Sequence, residues 1–258
     1  MNICMYSLYK IVVFDFDGVV CDSTDECMVT SWNAWEKWES RKAFRHSIED
    51  FSINEKSSFR QMRPRVRGAG EYYIICRALN EGIIIDNQLT YDNLIKEWHD
   101  FLEPFKKIFF EMRELLRNKD IDEWVKLHPI YDNIITIMKN LQLHNQLYIA
   151  TLKDKKSVQA ILNKNGMNIE ENQILDQSQI TSKIEAMDKI RSINKCNKSD
   201  MVLIDDNVTH LLQPHLNGYD SFQTSWGNVP KEYLAIANNY GIEVISKENL
   251  RDRMKLIE

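Results

Sequence analysis

The order of segments predicts a doubly wound α/β fold: a parallel sheet covered by helices, with a helical module inserted after its first strand. Short, continuous, β-branched apolar runs recur, first at Ile11, Val12, Val13 and Phe14, then at Leu147, Tyr148, Ile149 and Ala150, and again at Met201, Val202, Leu203 and Ile204. Such runs suit strands buried on both faces of a parallel sheet. Segments of helical spacing separate the later runs, as the crossovers between parallel neighbours require. Between residues 22 and 128 no buried-strand run appears, helical spacing dominates, and five of the six tryptophans lie there.

The first strand ends in acidic residues, and a turn is expected at Asp17 and Gly18. In the insertion, Trp32, Trp35 and Trp38 recur every three residues, near one face of a helix, and read as packing residues. Residues 56–67, KSSFRQMRPRVR, carry five basic residues and no acidic one. Pro64 keeps Arg63 out of a regular helix, so a basic loop is expected, with a turn at Gly68, Ala69 and Gly70. After Pro129, the residues Ile130, Ile134, Ile137, Met138 and Leu141 predict an amphipathic helix. A strand over 147–151 follows, then a helix marked by Val158, Ile161 and Leu162 and stopped at Asn165 and Gly166. A short strand near Ile174 and Leu175 precedes a helix carrying Ile184, Met187 and Ile190. The strand at 201–204 and extended segments near Phe222 and Val244 complete the sheet. The expected division is a core of residues 1–21 and 129–258 and a helical insertion of residues 22–128.

Composition narrows the function classes. With 258 residues, 43% apolar, and only 8 glycines and 5 prolines, the chain can bury a sizeable core and is neither disordered nor collagen-like. A net charge of −5 exerts no global pull on nucleic acid or anionic membrane. The five cysteines, Cys4, Cys21, Cys27, Cys76 and Cys196, never form a CxxC pair, which suggests neither a disulfide framework nor a zinc site and fits a reducing compartment. The N-terminus lacks a basic n-region, and Asp15 interrupts its apolar run, so neither a signal peptide nor a membrane span is expected. A cytoplasmic protein, monomer or homodimer, with no nucleic-acid or membrane partner is the expectation.

Three strands end in polar residues: Asp15 and Asp17 after the first, Thr151 after the second, Asp205 and Asp206 after another. In open parallel sheets, ligands bind outside the carboxyl ends of the strands. Carboxylates converging from adjacent buried strands repel one another unless a cation neutralises them. Hard oxygen donors imply Mg2+, which keeps phosphate oxygens and water among its ligands, so a phosphorylated substrate is expected. Thr151 adds a hydroxyl donor. Lys183, opening a helix, supplies an ammonium for an acid and a phosphoryl oxygen.

The string DFDGVVCDS at residues 15–23 resembles the first motif of the haloacid dehalogenase-like hydrolase superfamily. Thr151 in YIATLK, Lys183 in SKIEAM and the acids of VLIDDN match its later motifs in order and spacing. The likeness covers residues 10–24 and 129–226. The insertion is placed like that family's first cap type, similar to phosphoglycolate phosphatase and β-phosphoglucomutase relatives. This resemblance implies a Rossmann-like core and phosphoryl transfer from a small phosphorylated metabolite. Asp15 would be the nucleophile, oriented by Mg2+ and Lys183, and Asp17 the general acid and base. Thr151 and backbone N–H groups near Phe16, Asp17 and Leu152 would hold the phosphoryl oxygens. The metal ligands would be Asp15, the carbonyl of Asp17, and Asp206 or Asp205.

Many relatives read Gly-Asp with a further Asp four positions on; here Asp205 replaces the glycine and His210 stands where the second acid would be. Asp206 is then the ligand, although a consecutive Asp-Asp form of the motif would give Asp205 an indirect part. His210 itself reads as structural. In the insertion, Arg60, Arg63, Arg65 or Arg67 could hold a second anionic group by bidentate hydrogen bonds, or form a solvated basic turn. The alternatives are a phosphomutase on the same residues and a non-catalytic phosphate-binding module. Dehalogenation is disfavoured, because it needs neither Asp17 nor the acidic metal motif.

Overall fold

The computed structural model describes residues 9–144, 146–227 and 229–254; Cys4 lies outside the described residues. Six strands form one sheet: β1 (Ile11–Phe14), β2 (Gln146–Ala150), β3 (Ile174–Leu175), β4 (Met201–Asp205), β5 (Asp220–Thr224) and β6 (Glu243–Ile245). Their spatial order is β3-β2-β1-β4-β5-β6, and every neighbouring pair is parallel. The chain steps outward from β1 through β2 to β3, then crosses back to β4 on the other side of β1. That reversal puts the switch point of the doubly wound sheet between β1 and β4.

Strand β1 is central, and none of its four residues is more than 2% exposed. Alternation along the strand splits them between two cores. Ile11 and Val13 join Tyr148, Ala150, Leu203, Met187 and Ile190 on one face, and Val12 and Phe14 are buried outside that cluster. Burying each such side chain contributes about 1.5–3 kcal/mol. The helix Lys155–Lys164 is started by Asp154, whose side chain accepts from Ser157 N, and it stops before Gly166 at φ 69.

The predicted helix after Pro129 begins later than its apolar spacing suggests: it spans Ile134–His144. Ile130 is not in it. Its backbone forms an antiparallel bridge with Cys21, and Tyr131 N donates to Val20 O at 3.1 Å, so this segment is tied to the turn after β1.

The chain divides into two compact units, Ser23–Pro129 and the remainder on either side of it. The inserted unit is helical, with helices Thr24–Trp38, Ile53–Met62, Tyr72–Glu81, Gln88–Glu97, His99–Lys119 and Ile121–Lys126. Trp32, Trp35 and Trp38 are packing residues, with ring centroids 6.0 Å from Phe51, 5.6 Å from Tyr73 and 6.0 Å from Phe105 respectively. Residues 56–62 are helical, which corrects the loop expected there. Ser52 and Glu55 cap each other's backbone N–H at the helix start, and Pro64 takes effect only after Met62, leaving Arg63–Arg65 as one 3-10 turn. The interior of this unit holds an ion pair between Glu26 and Arg113, with Nε and Nη2 donating to the two carboxylate oxygens at 2.8 and 2.9 Å. Among the described residues no helix is long and apolar enough to cross a membrane.

Candidate active site

Register brings the polar strand ends together. Phe14 lies opposite Ile149 of β2 and Ile204 of β4, so the residues just beyond it on each strand reach one edge of the sheet. The hydrogen-bond ladder continues there: Asp15 N donates to Ile204 O at 2.8 Å, and Thr151 N donates to Leu175 O at 2.9 Å. Past Asp15 the chain folds back at once, with Val20 N donating to Phe16 O at 2.9 Å and Gly18 N to Cys21 O at 2.8 Å. Gly18 sits at φ 84, a conformation that side chains with a Cβ rarely adopt.

Lys183 is the first residue of helix Lys183–Asn194, whose cap Ser182 accepts from Glu185 N. A cation in the first turn opposes the helix dipole, and here carboxylates offset that opposition. Lys183 Nζ lies 2.7 Å from Asp15 Oδ1 and 3.0 Å from Asp205 Oδ2, and also donates to the Ala150 carbonyl. All three ionisable side chains are buried.

Asp205 is further held by Asn207 N, which donates to Oδ1 at 2.9 Å, and His210 Nδ1 lies 3.4 Å from the same oxygen. These neighbours respond differently to burial. Burial pushes the Asp15 carboxyl up to about 6, with Lys183 opposing and the Asp205 charge adding to the rise. Burial also acts to raise Asp205, but Lys183, His210 and the Asn207 N–H outweigh it and bring the group down to about 2. For Lys183, burial works to lower the value and the two carboxylates more than reverse it, so its pKa is raised.

Other predicted residues fall around this centre. Thr151 is buried, and its Oγ1 accepts from Lys153 N at 3.1 Å, which leaves the hydroxyl proton for another acceptor. Phe16 is buried and Leu152 half-buried. The Asp206 carboxylate lies against Gly18, where a Cβ would overlap it, and its carbonyl accepts from Gln223 Nε2 at 2.6 Å. The basic residues belong to the other unit. Arg60 pairs with Asp25, Arg65 donates to the carbonyls of Gln61 and Asp86, and Arg67 pairs with Glu71 and Asp92. Arg63 donates to Ser23 Oγ at 3.4 Å and lies over the Tyr72 ring.

A divalent cation fits this donor set. Two buried carboxylates share a single lysine, and ligand atoms of Asp15, Asp205 and His210 lie within 4.8 Å of one another. Gly18, lacking a Cβ, leaves the space that the Asp206 carboxylate fills. Two of the three donors are hard carboxylate oxygens, of the kind divalent cations take, and the third is the His210 nitrogen.

Sequence reasoning passed over Lys153, whose Nζ lies 3.2 Å from Asp17 Oδ1. A lysine two positions beyond a strand-end threonine, at the edge of a buried run, was its available signal. His210, read from the sequence as structural, has its imidazole beside Asp205.

A protein-family model described as haloacid dehalogenase-like hydrolase matches residues 9–212. No curated protein matches the chain. Among solved structures, a predicted phosphatase from Clostridium acetobutylicum is similar at 14% identity and a TM-score of 0.65, covering 97% of this chain and 100% of that one. A haloacid dehalogenase-like family protein from Streptococcus pneumoniae is similar at 14% identity and TM-score 0.62, covering 95% and 96%. A predicted phosphoglycolate phosphatase from Haemophilus somnus is similar at 15% identity and TM-score 0.60, covering 93% and 95%. At these identities the likeness is one of fold.

Proposed function

We propose, on the premise that this chain belongs to the haloacid dehalogenase-like hydrolase family, that it is a Mg2+-dependent phosphatase of a small phosphorylated metabolite. The observation that carries the reading is Lys183 joined to both Asp15 and Asp205 at the ends of adjacent strands. A nucleophilic carboxylate needs its charge balanced yet one oxygen available, and a lysine held to Oδ1 leaves Oδ2 for attack.

Asp15 Oδ2 attacks phosphorus, forming an aspartyl phosphate as the bond to the leaving oxygen breaks. Asp17 gives its proton to that oxygen and then takes one from the water that hydrolyses the aspartyl phosphate, help worth roughly 10²–10⁴-fold. Thr151 donates its hydroxyl proton to a phosphoryl oxygen, and Lys183 balances charge developing beside it. Mg2+ held by Asp15, the Asp17 carbonyl and a carboxylate of Asp205 or Asp206 would supply electrostatic neutralisation of the phosphoryl oxygens. The inserted unit acts as a cap that selects the leaving group, with Arg63 as the anchor for a second anionic group. The four described cysteines are free thiols, in keeping with a cytoplasmic location.

Mg2+-dependent release of phosphate from p-nitrophenyl phosphate, lost in Asp15→Asn, tests the reading. No release across a broad panel of phosphate esters would overturn it in favour of a phosphate-binding module.

A further inference from the structure

Lys153 has no part in the scheme above, yet its side chain is fully buried at 0% exposure. A buried ammonium is costly unless it is paired and hydrogen-bonded. Its Nζ lies 3.2 Å from Oδ1 of Asp17, whose side chain keeps 18% of its surface open.

The turn that carries the lysine is pinned on both sides. Lys153 N donates to Thr151 Oγ1 at 3.1 Å. The next residue, Asp154, accepts from Ser157 N at 2.9 Å and from the Ser157 hydroxyl at 2.7 Å, and Lys155 N donates to Asp176 Oδ2 at 2.8 Å. A cation on so fixed a turn holds what it touches in one orientation, and orientation of this kind is a large part of what a catalytic group contributes.

We propose that Lys153 is a positioning residue that fixes the Asp17 carboxyl for proton transfer to the leaving group. The inference rests on the phosphatase reading. The Lys153 ammonium lies beside Asp17 Oδ1, and the Asp17 carboxyl bears the proton to be transferred. As the Asp15–phosphorus bond forms and the bond to the leaving oxygen breaks, that proton passes from the Asp17 carboxyl to the leaving oxygen, and the resulting carboxylate is balanced by the ammonium already beside it.

The test compares kcat/KM, which reports the first phosphoryl transfer, for p-nitrophenyl phosphate and phenyl phosphate. The rings are alike, but the phenolate is the poorer leaving group and depends more on an acid. In Lys153→Met, phenyl phosphate should lose about 30-fold more than p-nitrophenyl phosphate, a share of what general acid catalysis supplies. Lys153→Arg should restore the wild-type ratio to within about threefold, since it keeps the cation. Asp17→Asn should show the same selective loss, and adding Lys153→Met to it should cost less than about twofold more, because the two act as one unit.

Equal losses on both substrates would overturn the inference, as would a double variant whose losses multiply; either would make Lys153 a direct phosphoryl contact or a support of the fold. Melting temperatures of all variants identify any that fail to fold, and Lys153→Arg then carries the comparison. Wild-type protein that releases phosphate from neither ester would sink the phosphatase reading itself, and this inference with it.

Discussion

Replacing Lys183 by Met removes the cation from between Asp15 and Asp205 while keeping a stem of similar length. Wild-type Asp205, drawn from the ordinary 3.8 down to about 2, contributes about 2 kcal/mol of stability. Because its value is lowered, that contribution is present above about pH 4 and lost as pH falls through about 2. It disappears with the lysine. Asp15, raised to about 6, has the opposite sign: its ionisation costs stability as pH rises from about 4 through 6, and acidification restores it.

Without Lys183, Asp15 stays protonated at pH 7, a further loss of about 1–2 kcal/mol at roughly 1.4 kcal/mol per pH unit. The expected destabilisation is therefore about 3–4 kcal/mol at pH 7, in the range found for removing one partner of a buried pair. At pH 5, Asp15 is protonated in both proteins, and only about 2 kcal/mol remains. Urea unfolding of both proteins in chelator, followed by circular dichroism at the two pH values, measures this directly. The same loss at both, or less than about 1 kcal/mol at pH 7, would refute the assigned partnership.

Gly18→Ala should weaken Mg2+ binding at least about tenfold by calorimetry, because the new methyl overlaps the Asp206 carboxylate and φ 84 is strained for alanine. Arg113→Met should destabilise the inserted unit by about 3–5 kcal/mol, leaving Glu26 buried without its bidentate partner; adding Glu26→Gln should recover part of the loss in thermal unfolding. Arg63→Ala should raise KM about tenfold or more for a substrate with a second anionic group, with kcat within about twofold; an unchanged KM for every substrate found would remove Arg63 as the anchor.

The sheet was legible because parallel strands buried on both faces cannot alternate polar and apolar residues. That constraint left continuous runs such as Ile11 to Phe14, with their polar ends marking one edge. What failed were boundaries set by contacts distant in sequence. Ile130 continues the helical spacing of Ile134 and Ile137, but pairing with Cys21 holds its backbone extended. Residues 56–62 read as a loop because Pro64 was weighed and the capping box of Ser52 and Glu55 was not. The partnership of Glu26 with Arg113 spans 87 residues, and nothing local in either segment announces it.

The acids of VLIDDN show why a motif fixes chemistry before it fixes roles. Asp205 ends β4 and Asp206 lies just beyond it, and the two carboxylates meet different neighbours. Which one meets Lys183 depends on the register of β4 against β1, a long-range quantity. With Phe14 opposite Ile204, Asp205 is the residue level with Asp15, and it takes the lysine; Asp206, one step on, lies against Gly18 instead. A shift of one residue would exchange them while leaving the spelling of the motif unchanged. The glycine three residues after Asp15 therefore does more than permit a turn: by lacking a Cβ it makes room for the second acid, so the two acidic motifs fit only as a pair.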